Sequence, residues 1–220
     1  MSAEAYAVQR KRLVDALVFS KAVQSDPVKR AFLAVPREDF LPAHLKEYAY
    51  ADDALPLELG QSISQPSTIA HMLELLDVKE GNRVFEVGAG SGYAAALLSR
   101  LVGENGMVYA IEFLPFLKKS AEENLKRAGI QNVEVLEGDG SMGLQQFAPF
   151  DRIISSAGCP YIPKPWIEQL SEGGIIVAPV GDKFDQHLQV VLKHKGKIVK
   201  RDDWPNLYNF VPLRGKFGWK

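Results

Sequence analysis

From residue 83 onward, short apolar runs alternate with longer amphipathic stretches, a pattern that predicts an α/β architecture. Residues 83–87, 107–111, 133–136, 151–154 and 175–180 each read as a buried strand, rich in Val and Ile and bounded by Gly, Asn or Asp. Residues 93–102, 115–126 and 165–170 read as the intervening helices; Pro115 opens the second and Gly129 stops it. Gly173-Gly174 reads as the turn into the strand at 175–180. Residues 187–192 and 198–201 form a hairpin joined at Lys195-Gly196-Lys197. The order predicts a doubly wound, mostly parallel seven-stranded sheet with an antiparallel member in its last pair.

The first quarter has a different rhythm. Residues 3 to about 23 read as an amphipathic helix with Tyr6, Leu13, Ala16 and Leu17 on one side, and with Arg10, Lys11 and Arg12 as a solvated face. Asp26-Pro27 opens a second helix that ends near Val35-Pro36. Residues 37–54 mix Phe40, Tyr48 and Tyr50 with charges and are expected to wrap the core as short helices and loops. The expectation is one domain over residues 1–220, with 1–54 a helical extension and 55–220 the α/β core. Residues 61–66, Gln-Ser-Ile-Ser-Gln-Pro, lead into a helix over 67–76 with Pro66 in its first turn. Such a loop can receive a carboxylate through backbone N–H groups and the helix dipole. Ordinary capping by Ser64 or Gln65 accounts for the same residues, and the pattern leaves both readings open.

The chemistry gathers between the strand at 83–87 and the helix at 93–102. Gly88, Gly90 and Gly92 stand at every second position, which allows a sharp turn and close approach of a ligand to the main chain. The dinucleotide fingerprint Gly-x-Gly-x-x-Gly is broken because the third glycine comes one residue early, with Tyr93 in its place. That spacing resembles the first motif of S-adenosylmethionine-dependent methyltransferases. No Gly-x-x-x-x-Gly-Lys-Ser/Thr run is present, which argues against a triphosphate cradle. Glu112 ends the next strand at the distance where a βαβ unit sets an acid on ribose hydroxyls. Asp139, between Gly138 and Gly140 at the following strand end, is placed to meet an adenine.

Charge and composition narrow the partners. The net charge of -1 offers no electrostatic case for nucleic acid or an anionic membrane. No apolar run approaches the roughly 18 residues of a membrane span, and the amino end lacks a signal-peptide pattern. The single cysteine, Cys159, leaves no internal disulfide, which fits a cytoplasmic protein, and with no histidine near it in sequence it reads as a loop residue, not a nucleophile. His44, His71, His187 and His194 are scattered without metal-ligand spacing, so no metal is expected. Trp166, Trp204 and Trp219 read as packing residues.

Several stretches together resemble one family, the protein-L-isoaspartate O-methyltransferases. They are residues 35–42 (Val-Pro-Arg-Glu-Asp-Phe-Leu-Pro), 61–66, 84–93, 138–141, 148–151, 157–163, 169–174, 178–181 and the ending Phe210-Val211-Pro212-Leu213. The resemblance runs from about residue 30 to the end. The glycine loop alone marks only a methyltransferase; the Ser-Ile-Ser-Gln-Pro loop with the Val-Pro-Leu ending makes it specific.

The resemblance implies a Rossmann-like methyltransferase fold and methyl transfer from S-adenosyl-L-methionine to the free carboxylate of L-isoaspartyl residues in damaged proteins, with D-aspartyl residues as a further substrate. It implies Ser64 as the catalytic residue. The cofactor is expected on Gln61, Ile63, Ser64, Glu86, Gly88, Ala89, Gly90, Glu112, Phe113, Asp139 and Gly140. The substrate is expected on Ser64, Gln65, Pro66, Val211, Pro212 and Leu213, with the protein acting as a cytoplasmic monomer. Glu58 departs from the family's pattern, standing where a glycine is usual. Pointing inward, it would repel a carboxylate; pointing outward, it is neutral. Two rival readings stay open: a methyltransferase of another substrate, and a cofactor-binding module without repair activity.

Overall fold

The computed structural model describes residues 1–203 and 206–219; Trp204 lies outside them. The chain opens with α1 (Ala3–Phe19) and α2 (Asp26–Ala34), then two 3-10 turns, Arg37–Phe40 and Ala43–Tyr48. The expected first helix stops four residues early because Lys21 takes a left-handed φ of 63 after the Ser20 cap. A two-stranded hairpin follows, β1 (Leu55–Pro56) with β2 (Ser62–Ile63), and then α3 (Pro66–Leu76). The alternating part is β3 (Arg83–Val87), α4 (Tyr93–Val102), β4 (Met107–Glu112), α5 (Pro115–Arg127), β5 (Val133–Glu137), β6 (Phe150–Ser155) and α6 (Lys164–Gln169). It closes with β7 (Leu170–Gly181), β8 (Gln186–His194) and β9 (Lys197–Asp202).

The seven-stranded sheet has the order β5-β4-β3-β6-β7-β8-β9. β8 runs antiparallel to both its neighbours, and the remaining pairs are parallel. From β3 the chain winds one way to β4 and β5, then returns to lay β6 on β3's other side. The carboxyl ends of β3 and β6 therefore flank the switch point, where a crevice opens in sheets of this kind. β7 begins at Leu170, not after the glycine pair: Gly173-Gly174 belongs to an irregularity inside the strand, where Phe150 pairs with Leu170 but Arg152 with Ile175. Every residue of β9 is exposed.

Alternation along the strands feeds two apolar clusters. Val84, Val108, Ala110, Ile154 and Val177 point into one with α1 to α5, whereas Phe85, Val87, Ile111, Ile153 and Ile176 point into the other with Trp166 of α6. Phe85 and Phe150 are fully buried and stack at 5.1 Å, each burial stabilising the fold by about 2 kcal/mol. The extension shares the first cluster through Leu13, Val14, Leu17, Phe32 and Phe40. It is further tied by Arg10, whose Nε donates to the Tyr50 hydroxyl at 2.7 Å and whose Nη2 meets Glu38 at 3.2 Å; Tyr50 in turn donates to Glu38.

Candidate functional site

The glycine loop is held by few but specific bonds. Gly88 and Ala89 N–H both donate to the Ile111 carbonyl, at 2.9 and 3.2 Å, which ties the loop to the end of β4. Gly88, Gly90 and Gly92 take φ values of 88, 54 and 86, in the left-handed region that favours glycine. A Cβ on Gly92 would also come within 3.2 Å of Leu125, so α5 packs directly on the turn. Gly140 has a different reason: its Cβ would meet Ile111 at 2.6 Å and Val87 at 2.8 Å. Its carbonyl accepts from Trp166 Nε1 at 2.8 Å, so that buried tryptophan packs and braces the loop at once.

The loop forms one wall of a cleft that is partly open to solvent, the kind of concave, mixed apolar and polar setting in which small-molecule ligands bind. Gln61, Ile63, Ser64, Glu86, Gly88, Ala89, Gly90, Glu112, Phe113 and Gly140 all line it, as do Val211, Pro212 and Leu213. Three expected residues do not. Asp139 faces away: its Oδ1 accepts from the Ser141 N–H and hydroxyl, and its Oδ2 from the Lys216 N–H at 2.8 Å. Gln65 is the N-cap of α3 and Pro66 is buried as its first residue. Ser91, Ser156, Ala157, Leu117 and Arg214 line the cleft without having been expected. The rule that ligands lie at carboxyl strand ends would have pointed to Ser156 and Ala157, which follow β6; Arg214 carried no signal in the pattern.

Two acids differ sharply in their settings. Glu112 accepts from Gly90 N–H at 2.9 Å with one oxygen and from Leu114 N–H at 3.0 Å with the other. A carboxylate has about four acceptor sites, so lone pairs remain on both oxygens for a diol. Glu86 is fully buried, and neither of its carboxylate oxygens has a partner. Burial, then the charge of Glu112, hold its carboxyl well above the usual range. An orphaned acid in a cleft wall fits a ligand that brings a cationic or donor group.

The Ser64 loop is built as a hairpin. Leu55 pairs with Ile63 and Pro56 with Ser62, and Leu57 N–H donates to the Gln61 carbonyl at 2.7 Å across a turn with Leu59 at φ 59. Ser64 and Gln65 give α3 no side-chain cap; Asp52 supplies it by accepting from Ser67 N–H at 2.8 Å. Among the described residues the Ser64 hydroxyl has no hydrogen-bond partner. Glu58 is exposed and lines a neighbouring groove with Lys46 and Arg127, outside the cleft.

The opposite wall is a strap over residues 208–213. Gln186, 1% exposed, holds it: its backbone exchanges both hydrogen bonds with Tyr208, its Oε1 accepts from Phe210 N–H at 2.7 Å, and its Nε2 donates to the Asp182 carbonyl at 2.7 Å. Gly158 N–H donates to the Val211 carbonyl and Leu213 N–H to the Gly158 carbonyl, both at 2.8 Å. Cys159 is buried beneath, and burial pushes its thiol up to about 12, which makes it inert as a nucleophile. Among the described residues no helix is long and apolar enough to cross a membrane.

In sequence and fold the chain is similar to known proteins. The family model for protein-L-isoaspartate(D-aspartate) O-methyltransferase matches residues 8–218. A protein-L-isoaspartate O-methyltransferase of Hyperthermus butylicus is 48% identical, covering 96% of this chain and 90% of its own. One from Staphylothermus marinus is 44% identical, covering 96% of each chain. A solved protein-L-isoaspartate O-methyltransferase superposes with a TM-score of 0.86 at 34% identity, over 95% of this chain and 67% of that one. A Plasmodium falciparum structure of the same family, in complex with S-adenosyl-L-homocysteine, gives a TM-score of 0.83 at 26% identity, over 93% of this chain and 98% of that one.

Proposed function

Because the chain belongs to the protein-L-isoaspartate(D-aspartate) O-methyltransferase family, we propose that its cleft carries out the family's reaction with Ser64 at its centre. The protein is an enzyme that methylates the free carboxylate of isoaspartyl residues in damaged proteins, initiating their repair. S-adenosyl-L-methionine, when bound, supplies the methyl group. The observation that carries the site assignment is a single cleft at the switch point, lined by the Ser64 hairpin, the glycine loop, Glu112 and the Val211–Pro212–Leu213 strap.

Each residue has a physical task. Glu86 receives the cofactor's ammonium, which relieves the acid's unpaired burial. Glu112 accepts from the ribose hydroxyls with its remaining lone pairs. Gly88 and Gly90 would allow close approach of the chain to the cofactor, Gln61, Ile63 and Ala89 would shape the walls around it, and Phe113 and Gly140 would help to hold it. Asp139 acts at one remove, by fixing the turn that begins at Gly140.

The substrate carboxyl, with a pKa near about 4, is already ionised at neutral pH, so no base is needed. What remains is to hold one of its oxygens in line with the methyl carbon, a positioning task. Ser64 orients the carboxylate by donating its unengaged hydroxyl. Val211, Pro212 and Leu213 clasp the substrate backbone, and Gln65 and Pro66 set where the hairpin ends. We read residues 1–220 as one domain, supported by the extension's share of the core, and the protein as a cytoplasmic monomer, in keeping with its one buried thiol.

The test is transfer of labelled methyl from S-adenosyl-L-methionine to an isoaspartyl peptide and to the same peptide with normal aspartate. Label on the isoaspartyl peptide alone, released as methanol in mild base, is the expected result. Label on neither peptide, with cofactor binding intact, overturns the assignment.

A further inference from the structure

The acids around the cleft already have assignments: Glu112 and Asp139 accept from N–H and hydroxyl donors, and Glu86 is buried in the cleft wall, where it suits a ligand's cationic group. Arg214 is different. It lines the cleft and is exposed, and among the described residues its guanidinium has neither a hydrogen bond nor an ion pair. Yet its backbone is fixed on both sides. Leu213 is buried and bonded to Gly158 at 2.8 Å. Gly215, at φ +111, is pressed so close to Asp139 that a Cβ would lie 1.9 Å from its carboxylate. Beyond it, Lys216 N–H donates to Asp139 at 2.8 Å and Phe217 N–H to the Ser141 hydroxyl at 3.0 Å. A free cation on a fixed backbone is thus presented at the cleft, on a protein whose net charge is -1.

We propose that Arg214 reads the sequence around the damaged residue, pairing with an acidic side chain near the isoaspartyl linkage, so that this enzyme favours acidic contexts. The inference rests on the isoaspartyl reading of the cleft. The reacting carboxylate itself is a poor occupant, because a bidentate guanidinium pair would tie up the oxygens that must attack. Arg214 lies three residues past Val211. An extended peptide advances about 3.3 Å per residue, which brings side chains within about three residues of the isoaspartyl position into reach. Arginine suits the role, since its planar fork matches a carboxylate and stays charged at every working pH.

The experiment uses the full chain and a set of isoaspartyl peptides that differ only in carrying Glu, Gln or Lys two residues to either side of the damaged position. In the unaltered enzyme kcat/KM should rank Glu above Gln above Lys, spanning about fivefold at low salt and flattening at about 0.5 M salt. Arg214→Gln should compress the span to within about twofold, and Arg214→Glu should invert it; a misfolded protein cannot produce an inversion. The same ranking in all three proteins, or no ranking in the unaltered one, overturns the proposal. Weaker binding of S-adenosyl-L-homocysteine to Arg214→Gln, with the ranking intact, also overturns it and assigns the guanidinium to the cofactor's carboxylate. Transfer with a flat ranking removes only this inference, whereas no transfer to any isoaspartyl peptide removes the underlying reading as well.

Discussion

The N–H of Ser67, the first amide that α3 offers, donates to the carboxylate of Asp52 at 2.8 Å. The cap therefore comes from the extension, 15 residues upstream, and not from the hydroxyl-rich loop that enters the helix. Ser64 is spared a structural duty, and its hydroxyl is left for a ligand. Asp52→Ala should cost about 1 kcal/mol, a fall of about 3 °C in the melting temperature, and should also lower kcat because the start of α3, just after Ser64, loses its anchor. Asp52→Asn, an equally good cap, should restore both. Thermal melts beside methyl-transfer rates check the pair; a fall in stability with unchanged kcat would confine Asp52 to a structural role.

Ser64→Ala removes one charge-assisted hydrogen bond to the carboxylate and nothing from the cofactor's walls except a hydroxyl. Such bonds contribute about 1.5–3 kcal/mol, so transfer should slow by about tenfold or more. The dissociation constant of S-adenosyl-L-homocysteine, measured by calorimetry, should move by less than about twofold, a neutral edge contact adding only a few tenths of a kcal/mol. A collapse of both together would show that Ser64 serves the cofactor instead.

Glu86 sets stability against binding. Its folded-state carboxyl is held above the unfolded value by burial and by Glu112. A raised acid binds its proton more tightly in the folded protein, so its contribution is most favourable below the unfolded pKa and is lost as pH rises through the folded one. Glu86→Gln should therefore melt higher than the unaltered ligand-free protein at pH 8, by a few degrees for each ~1 kcal/mol relieved. That advantage should vanish near pH 4. Cofactor affinity should fall by about tenfold or more as a charged partner is lost. Melting curves across pH would sink the account if the difference were flat.

Gln186 is the hinge pin of the strap. Gln186→Leu keeps the volume but leaves the Phe210 N–H and the Asp182 carbonyl without partners, costing about 1–3 kcal/mol. Since the strap lines the cleft and is proposed to clasp the substrate, KM for an isoaspartyl peptide should rise several-fold while cofactor affinity stays close to its original value. Equal losses in both would mean that the strap also shapes the cofactor end.

Long, periodic elements were legible because a parallel strand buried on both faces must be an apolar run, and glycines mark where it turns. The features that escaped are those whose partners are remote in sequence. The β1–β2 hairpin has two residues a strand, too few for any period, and exists because Leu55 and Ile63 can bury together. Gly173-Gly174 reads locally as a turn, yet β6, which pairs with Leu170 before it and Ile175 after it, holds it within β7. The glycine loop and Glu112 could be read from their spacing, Ser64 and the Val211–Leu213 ending only from the family resemblance, and whether Ser64 capped its own helix depended on Asp52. Likewise, the orientation of Glu58 and the freedom of Arg214 depend on which neighbours the fold supplies.

The outer strand β9 has a consequence for a protein that handles damaged chains. Such clients expose backbone that seeks a strand to pair with, and an open sheet edge is a template for it. β9 is one such edge, and Lys197, Lys200 and Arg201 stud its six exposed residues. Bringing a second strand alongside would crowd or desolvate these cations, which is how natural sheets refuse unwanted partners. The cations of β9 thus make this edge a poor template for a client's unpaired strand.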